Sequence, residues 1–136
     1  MGRILAIDYG RKRTGLAVTD TLRITANPLL TVETNALLPW LSDYFAKEPV
    51  DEVVIGHPTQ LNGEDSESMK YIRPFMAVFR KAFPSMKLTE YDERFTSTLA
   101  HRAMIDGGMK KMQRRDKSVV DKLAACILLE DYLMTL

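Results

Sequence analysis

The segment Arg3–Asp8, with the sequence RILAID, constrains the fold more than any other part of the chain. Its four inner residues are all apolar, so a strand formed here must be buried on both faces. Such a strand occupies the centre of a sheet that is covered on both sides. The segment ends on a carboxylate, Asp8, and Gly10 follows two residues later. We therefore predict a central strand that leads directly into a tight polar turn.

The turn, residues 9–13 with the sequence YGRKR, separates this strand from a second one at 14–19. The short spacing predicts an antiparallel hairpin. A third strand is predicted at 24–32. It contains Pro28, which has no amide hydrogen to donate to a neighbouring strand and therefore favours an edge position.

After the third strand, helical and extended patterns alternate. Apolar residues at helical spacing and short β-branched runs predict the elements. In chain order these are a helix at 37–47, a strand at 52–56, a loop at 57–63, a helix at 66–83, a strand at 86–91, a helix at 97–105 and a helix at 118–134. Three consecutive strands followed by alternating helices and strands predict an α/β fold with a five-stranded mixed sheet.

Composition removes several classes of protein. The 19 basic and 18 acidic side chains leave a net charge of +1, which excludes binding of nucleic acid through charge spread over the whole surface. Cys126 is the single cysteine, so an internal disulfide is excluded and a reducing, cytoplasmic location is expected. The two histidines, His57 and His101, are too few for a structural zinc site. No signal sequence or membrane-spanning stretch is visible, so no membrane association is expected.

Three carboxylates stand at the ends of predicted elements: Asp8, Glu93 and Asp121. Asp8 closes the first strand, Glu93 follows the fifth, and Asp121 lies in the predicted first turn of the last helix. Ligands of open α/β sheets bind at the carboxyl edge of the strands, so Asp8 and Glu93 are expected at one edge. Magnesium prefers hard oxygen ligands, and two such ions can support hydrolysis of a phosphodiester. These residues are therefore candidate metal ligands.

Each carboxylate also has a purely structural interpretation. Asp8 could cap the turn that contains Gly10, and Glu93 could pair with Arg94 in a solvated turn. Residues 118–121 have the sequence SVVD, which matches a helix capping box that would use Asp121 for stability alone.

The basic residues are clustered near these acids. One group, Arg11, Lys12 and Arg13, directly follows Asp8. A second group precedes the last helix and comprises Lys110, Lys111, Arg114, Arg115 and Lys117. Basic side chains beside a carboxylate site are typical of proteins that hold the phosphates of a polyanion. Few aromatic residues lie in these loops, so stacking on bases is not predicted.

Four segments together resemble the YqgF/RuvX family of RuvC-like resolvases in the ribonuclease H-like superfamily. They are DYGRKRTGLA from Asp8, GHP from Gly56 continuing to Gly63, DERFTS from Asp92, and DKLAA from Asp121. They occur in the family's order and spacing and extend over nearly the whole chain. One departure is His57, which stands where the family often has an aliphatic residue. A tolerated loop residue is the favoured interpretation, and a phosphate contact is the alternative.

The resemblance implies one ribonuclease H-like domain over residues 1–136, with the first three strands antiparallel and helices on both faces of the sheet. It implies that Asp8, Glu93 and Asp121 are the catalytic, metal-binding positions for one or two Mg²⁺ or Mn²⁺ ions. The implied activity is a nuclease that processes the 5′ end of precursor 16S ribosomal RNA. The alternatives are a Holliday junction resolvase and a nucleic-acid-binding module with weak or lost catalysis. The expected partner is structured RNA or branched DNA, bound by a monomer or weak homodimer, with Arg94 joining the phosphate-binding residues.

Overall fold

The computed structural model describes residues 2–57, 69–92 and 117–135. The elements in this part of the chain are β1 (Arg3–Asp8), β2 (Arg13–Thr19), β3 (Ala26–Glu33), a 3₁₀ turn (Thr34–Ala36), α1 (Leu37–Lys47), β4 (Val50–His57), α2 (Met69–Ala82), β5 (Lys87–Asp92) and α3 (Lys117–Leu133). Their order agrees with the sequence prediction. The helix predicted at 97–105 and the loop at 58–63 lie outside the described residues.

The five strands form one mixed sheet in the order β3-β2-β1-β4-β5. β2 pairs antiparallel with both β1 and β3, whereas β4 pairs parallel with both β1 and β5. β1 is therefore the central strand, as its apolar sequence predicts. β3, which contains Pro28, is an edge strand, so that prediction is also confirmed.

Successive side chains of β1 point to opposite faces of the sheet and so contribute to two separate hydrophobic cores. Leu5 and Ile7 belong to a cluster that includes residues of α1 and α2, whereas Ile4 and Ala6 belong to a cluster that includes residues of α3. All four side chains are fully buried. Because complete burial of one Leu or Ile contributes about 1.5–3 kcal/mol, β1 stabilises both layers at once. The predicted α/β architecture, with helices on both faces of the sheet, is confirmed.

A buried carboxylate joins the sheet to the C-terminal part of α3. Glu52, on β4, is only 6% exposed. Its Oε2 atom accepts hydrogen bonds from the Tyr132 hydroxyl at 2.5 Å and from the Thr89 hydroxyl at 2.7 Å. The Lys87 ammonium lies 3.9 Å from the same atom. A buried carboxylate is tolerated only when it is paired and hydrogen-bonded in this way, so this cluster fixes where α3 crosses the sheet.

Several predicted boundaries differ from the described structure by one or two residues. β3 begins two residues later than predicted, because the Asp20 carboxylate accepts hydrogen bonds from the amides of Ile24 (2.8 Å) and Thr25 (3.0 Å) and holds them in the preceding turn. β4 is longer at both ends, because its ladder with β1 already includes Val50 and its ladder with β5 continues to His57. β2 begins at Arg13, and α3 begins at Lys117.

In the portion of the chain covered by the structure, no helix combines the length and apolar character needed to cross a membrane.

We expect Tyr132→Phe to lower the free energy of unfolding by about 1.5–3 kcal/mol, because it removes a donor to a buried carboxylate. Urea denaturation at pH 7 measures this loss. Tyr71→Phe is the matched control, because Tyr71 is 42% exposed, and it should change stability by less than about 0.5 kcal/mol. Equal effects of the two variants would contradict the role of Tyr132.

The same pair of residues has a pH signature. Burial, and then the hydrogen bond to Glu52, raise the pKa of Tyr132 above its ordinary value of 10.0. Its contribution is therefore complete below pH 10 and is lost as the pH rises through the raised pKa. The difference in stability between the wild type and Tyr132→Phe should narrow over this alkaline range.

Candidate functional site

Asp8 lies at the carboxyl end of the central strand. It pairs with Gly15 across the hairpin and is half-buried. Because side chains alternate along a strand, Asp8 shares the face of Ile4 and Ala6, which is the face that α3 covers. The sequence prediction that Asp8 closes the first strand is confirmed.

The parallel pairing brings three strand ends to this edge. Ile7 of β1 is in register with Ile55 of β4, and His57 at the end of β4 is in register with Asp92 at the end of β5. Glu93 itself lies outside the described residues, but it directly follows Asp92. His57 is therefore the last residue of a strand rather than a loop residue, and the role of its side chain stays open.

Asp121 belongs to α3, which packs on the sheet face that Asp8 shares. Within the described residues α3 covers Lys117–Leu133, and Asp121 is the fifth residue of this range. The capping-box interpretation of residues 118–121 stays a prediction. Asp121 stands one helical turn before Ala125, which is buried in the core beneath α3. The side chain of Asp121 lies outside the described part of the chain.

The turn that follows Asp8 is tightly constrained. A Cβ atom added to Gly10 would overlap the carbonyl oxygen of Arg13, so a larger residue does not fit without a shift of the backbone. Thr34, the first residue of the 3₁₀ turn, holds this turn in place: its hydroxyl donates to the Gly10 carbonyl at 2.6 Å, and its amide donates to the Lys12 carbonyl at 3.0 Å. These contacts fix the direction in which the chain leaves Asp8.

The basic residues of this turn differ in their surroundings. Arg11 and Lys12 are exposed, whereas Arg13 is half-buried and opens β2 rather than lying in the turn. The Arg11 guanidinium carbon lies 5.3 Å from the centre of the Tyr71 ring, which is within cation–π distance. The described structure thus places two solvent-facing cations within four residues of Asp8.

Most of the second basic group lies outside the described residues, namely Lys110, Lys111, Arg114 and Arg115. Arg94 also lies outside them. Lys117 is the first residue of α3, and not part of the preceding loop as predicted.

Sequence reasoning missed the surroundings of Tyr71. This residue lies on α2 beside the apolar stripe of that helix and remains exposed. The available signal was an aromatic residue outside the apolar stripe of the helix. It could not identify Arg11 as the neighbour of Tyr71, because the two residues are far apart in the sequence.

The cysteine is not a candidate nucleophile. Cys126 is 6% exposed, and burial, assisted by the nearby Glu130 carboxylate, raises the pKa of its thiol to about 11. A thiol with this pKa is almost entirely protonated at neutral pH.

The family model RuvX, described as Holliday junction resolvase, matches residues 2–135. This chain belongs to the RuvX family. The resemblance carried by its four sequence segments is thus confirmed.

Full-length relatives of the RuvX chain carry one shared name, "Putative pre-16S rRNA nuclease". The protein with this name from Porphyromonas gingivalis is 56% identical over 133 residues, which is 98% of this chain and 96% of the relative. The one from Bacteroides thetaiotaomicron is 53% identical with the same coverage. The one from Flavobacterium johnsoniae is 51% identical, again over 98% and 96% of the two chains.

A solved structure extends the comparison to the fold. The chain described as "T. thermophilus RuvC in complex with Holliday junction substrate" matches with a TM-score of 0.58 and 18% identity, over 99% of this chain and 96% of that one. This likeness confirms the RuvC-type, ribonuclease H-like fold of the RuvX chain.

We expect Gly10→Ala to destabilise the protein by about 1–3 kcal/mol, because the new methyl group overlaps a backbone oxygen that cannot rotate away. Urea denaturation measures the loss, and the amide chemical shifts of Asp8 and Thr14 report the change in the turn. Gly2→Ala is the matched control. Its added methyl group meets only the side chain of Asp51, which is 53% exposed and can rotate away at the cost of its hydrogen bonds to the Gly2 amide and to Arg23, so a smaller loss is expected. Identical losses would contradict the constraint at Gly10.

Proposed function

We propose that this protein is a metal-dependent nuclease that hydrolyses phosphodiester bonds of structured nucleic acid at the carboxyl edge of its sheet. Its family and its full-length nuclease-named relatives make it a hydrolase that acts on nucleic acid. The observation that carries the location of the site is the position of Asp8, at the end of the central strand and on the face packed by α3.

The proposed substrate is the precursor of 16S ribosomal RNA, cleaved at its 5′ end. The support is the name shared by relatives that are 50–56% identical over almost the whole of both chains. At this identity, a common core and a common site edge are expected. Residues 1–136 would act as one domain, and the place of action would be the cytoplasm.

Asp8, Glu93 and Asp121 are the proposed ligands of one or two Mg²⁺ or Mn²⁺ ions. The fit is supported by the donor set, three carboxylates with hard oxygen atoms, and by the half-buried position of Asp8 at the strand end. A bound divalent ion supplies Lewis-acid activation of water and neutralises charge on the phosphodiester. The protein's own part is to hold Asp8 at the end of a fully buried strand, where the Gly10 turn prevents its backbone from moving.

Phosphate binding is assigned to the basic residues around this edge. Arg11 and Lys12 are exposed in the turn after Asp8, and Arg13 follows them at the start of β2. Exposed cations beside a carboxylate site attract the backbone of a nucleic acid without reading its sequence. The other proposed phosphate-binding residues are Arg94, Lys110, Lys111, Arg114, Arg115 and Lys117.

A second candidate is resolution of Holliday junctions. The description of the family and the junction-bound RuvC structure of the same fold favour it. A resolvase of a symmetric four-way junction requires two active sites related by a two-fold axis, and hence a homodimer. A monomer would favour RNA processing.

Asp8→Asn should reduce Mg²⁺-dependent cleavage by about 100-fold or more, because an amide is a neutral, weaker ligand than a carboxylate. The assay compares a precursor 16S RNA fragment with a four-way DNA junction, each with Mg²⁺ and with a chelator. The matched control is Asp43→Asn on α1, an exposed position in the layer on the opposite face of the sheet, which should keep the wild-type rate.

Equal rates for the wild type and Asp8→Asn would refute the assignment of Asp8. Faster cleavage of the junction than of the RNA would favour the resolvase. Salt-dependent binding of RNA without cleavage, and without uptake of Mg²⁺ or Mn²⁺ in calorimetry, would identify a binding module instead.

A further inference from the structure

An open groove of about 290 Å³ lies beside the turn that follows Asp8. It is on the sheet face covered by α1 and α2, opposite to the face of α3. Its walls come from the end of β1, the 3₁₀ turn, α1 and α2. The residues that matter for its chemistry are Tyr9, Thr34, Asn35, Leu38, Tyr71 and Phe75. This volume is at the small end of ligand pockets and suits a single planar group.

Aromatic rings form one side of the groove. Tyr9 stacks on Phe75 with the ring centres 4.6 Å apart and the planes 28° apart. Phe75 is 7% exposed and anchored in the core, so it holds Tyr9 in place at the groove wall. Tyr71 is one helical turn before Phe75 and is 42% exposed. The groove therefore combines a fixed aromatic pair with a second, accessible tyrosine.

The charge around the groove favours an anion attached to a flat ring. The Arg11 guanidinium lies over the Tyr71 ring at 5.3 Å, and Lys12 is exposed in the same turn. Among the described residues that line the groove, none carries a carboxylate. An aromatic wall with an exposed cation over one of its rings matches a nucleobase and its phosphate, because the base can take the place of the guanidinium on the ring while the cation turns to the negative charge.

The amide of Asn35 is also available to form hydrogen bonds with the edge of a bound nucleobase. Asn35 is exposed at the groove, and within the described part of the chain no hydrogen bond engages its amide. Its side chain can both donate and accept, which suits the mixed donor and acceptor edge of a base. Thr34, in contrast, is already used by the Gly10 carbonyl and the Thr14 hydroxyl.

We propose that this groove binds one unpaired nucleobase of the substrate strand, next to the phosphodiester held at Asp8, by stacking on Tyr71 and Tyr9. The inference rests on the proposed nuclease function and adds a requirement for a single-stranded nucleotide beside the cleavage site. Tyr9 directly follows Asp8, and alternation places their side chains on opposite faces of the sheet, so a substrate strand that crosses the sheet edge at Asp8 continues toward the groove. A fully paired base has no free face to stack there, so an unpaired one is selected.

The test uses an RNA hairpin that carries 2-aminopurine, a base whose fluorescence falls when it stacks. One version has the probe in a single-stranded overhang, and the other has it paired within the stem. The wild type should quench the overhang probe on binding and should prefer the overhang version. Tyr71→Ala should weaken binding of the overhang version by about 5- to 150-fold and remove the added quenching, while changing binding of the paired version little.

Three variants keep the result interpretable. Tyr71→Phe retains the ring and should behave like the wild type. Leu22→Ala changes another exposed residue, 67% exposed in the β2–β3 turn at the opposite edge of the sheet, and should also leave binding unchanged. Asn35→Ala should reduce the preference for the overhang without removing the quenching. Thermal melting verifies that each variant is folded.

The groove and the nuclease proposal fail in different ways. Absence of quenching by the wild type, or equal binding of the overhang version by the wild type and Tyr71→Ala, would overturn the base-binding groove. If the wild type cleaves RNA in those cases, the nuclease proposal stands without the groove. If quenching depends on Tyr71 but no substrate is cleaved, the groove stands and the nuclease proposal fails.

Discussion

The burial of β1 on both faces is the constraint on which the rest of the structure depends. Leu5 and Ile7 pack into one core and Ile4 and Ala6 into the other, so neither layer of helices can move without exposing this strand. β1 pairs antiparallel with β2 and parallel with β4, and these two pairings determine at which edge of the sheet its last residue, Asp8, lies. Asp8 is held in place because the strand before it has no freedom. A site that has to hold metal ions benefits from this rigidity.

The position of α3 depends on a second interaction, which lies away from the proposed site. The Glu52 carboxylate takes hydrogen bonds from Tyr132 and Thr89, and Tyr91 donates to Asp131 at 3.0 Å from the neighbouring strand. These contacts fix the C-terminal part of the helix against β4 and β5. Because a helix is a stiff rod, they also limit where its N-terminal part, which includes Asp121, lies over the sheet. A polar cluster that stabilises the fold therefore contributes to the geometry of the site.

Local pattern predicted most of the fold, since the relevant signals act over a few residues. The apolar run of β1, the proline of β3 and the apolar stripe of α1 each determine a local state, and α1 begins and ends at the predicted residues 37–47. Boundaries were predicted wrongly where strand pairing or a specific side-chain hydrogen bond decides them. β4 extends to Val50 because β1 pairs with it there, and the start of β3 is delayed by the Asp20 carboxylate.

The candidate site was predicted only in part. The position of Asp8 followed from strand periodicity. Glu93 and Asp121 were selected by their places at the ends of predicted elements and by a family resemblance, which the full-length match confirms at the level of the family. Arg11 and Tyr71 are far apart in sequence, and their contact arises only when the β1–β2 turn meets α2. No pattern within either segment contains that information. Aromatic stacking was therefore not predicted, although both residues are visible in the sequence.

The most direct test of the central claim, that Asp8 is part of a divalent-metal site, is X-ray diffraction from crystals soaked in Mn²⁺, recorded near the manganese absorption edge. We expect an anomalous peak about 2 Å from a carboxylate oxygen of Asp8, with Glu93 and Asp121 as further ligands. The peak should disappear in crystals of Asp8→Asn. A well-ordered Asp8 with no anomalous peak in its vicinity, or a peak that persists in Asp8→Asn, would contradict the account.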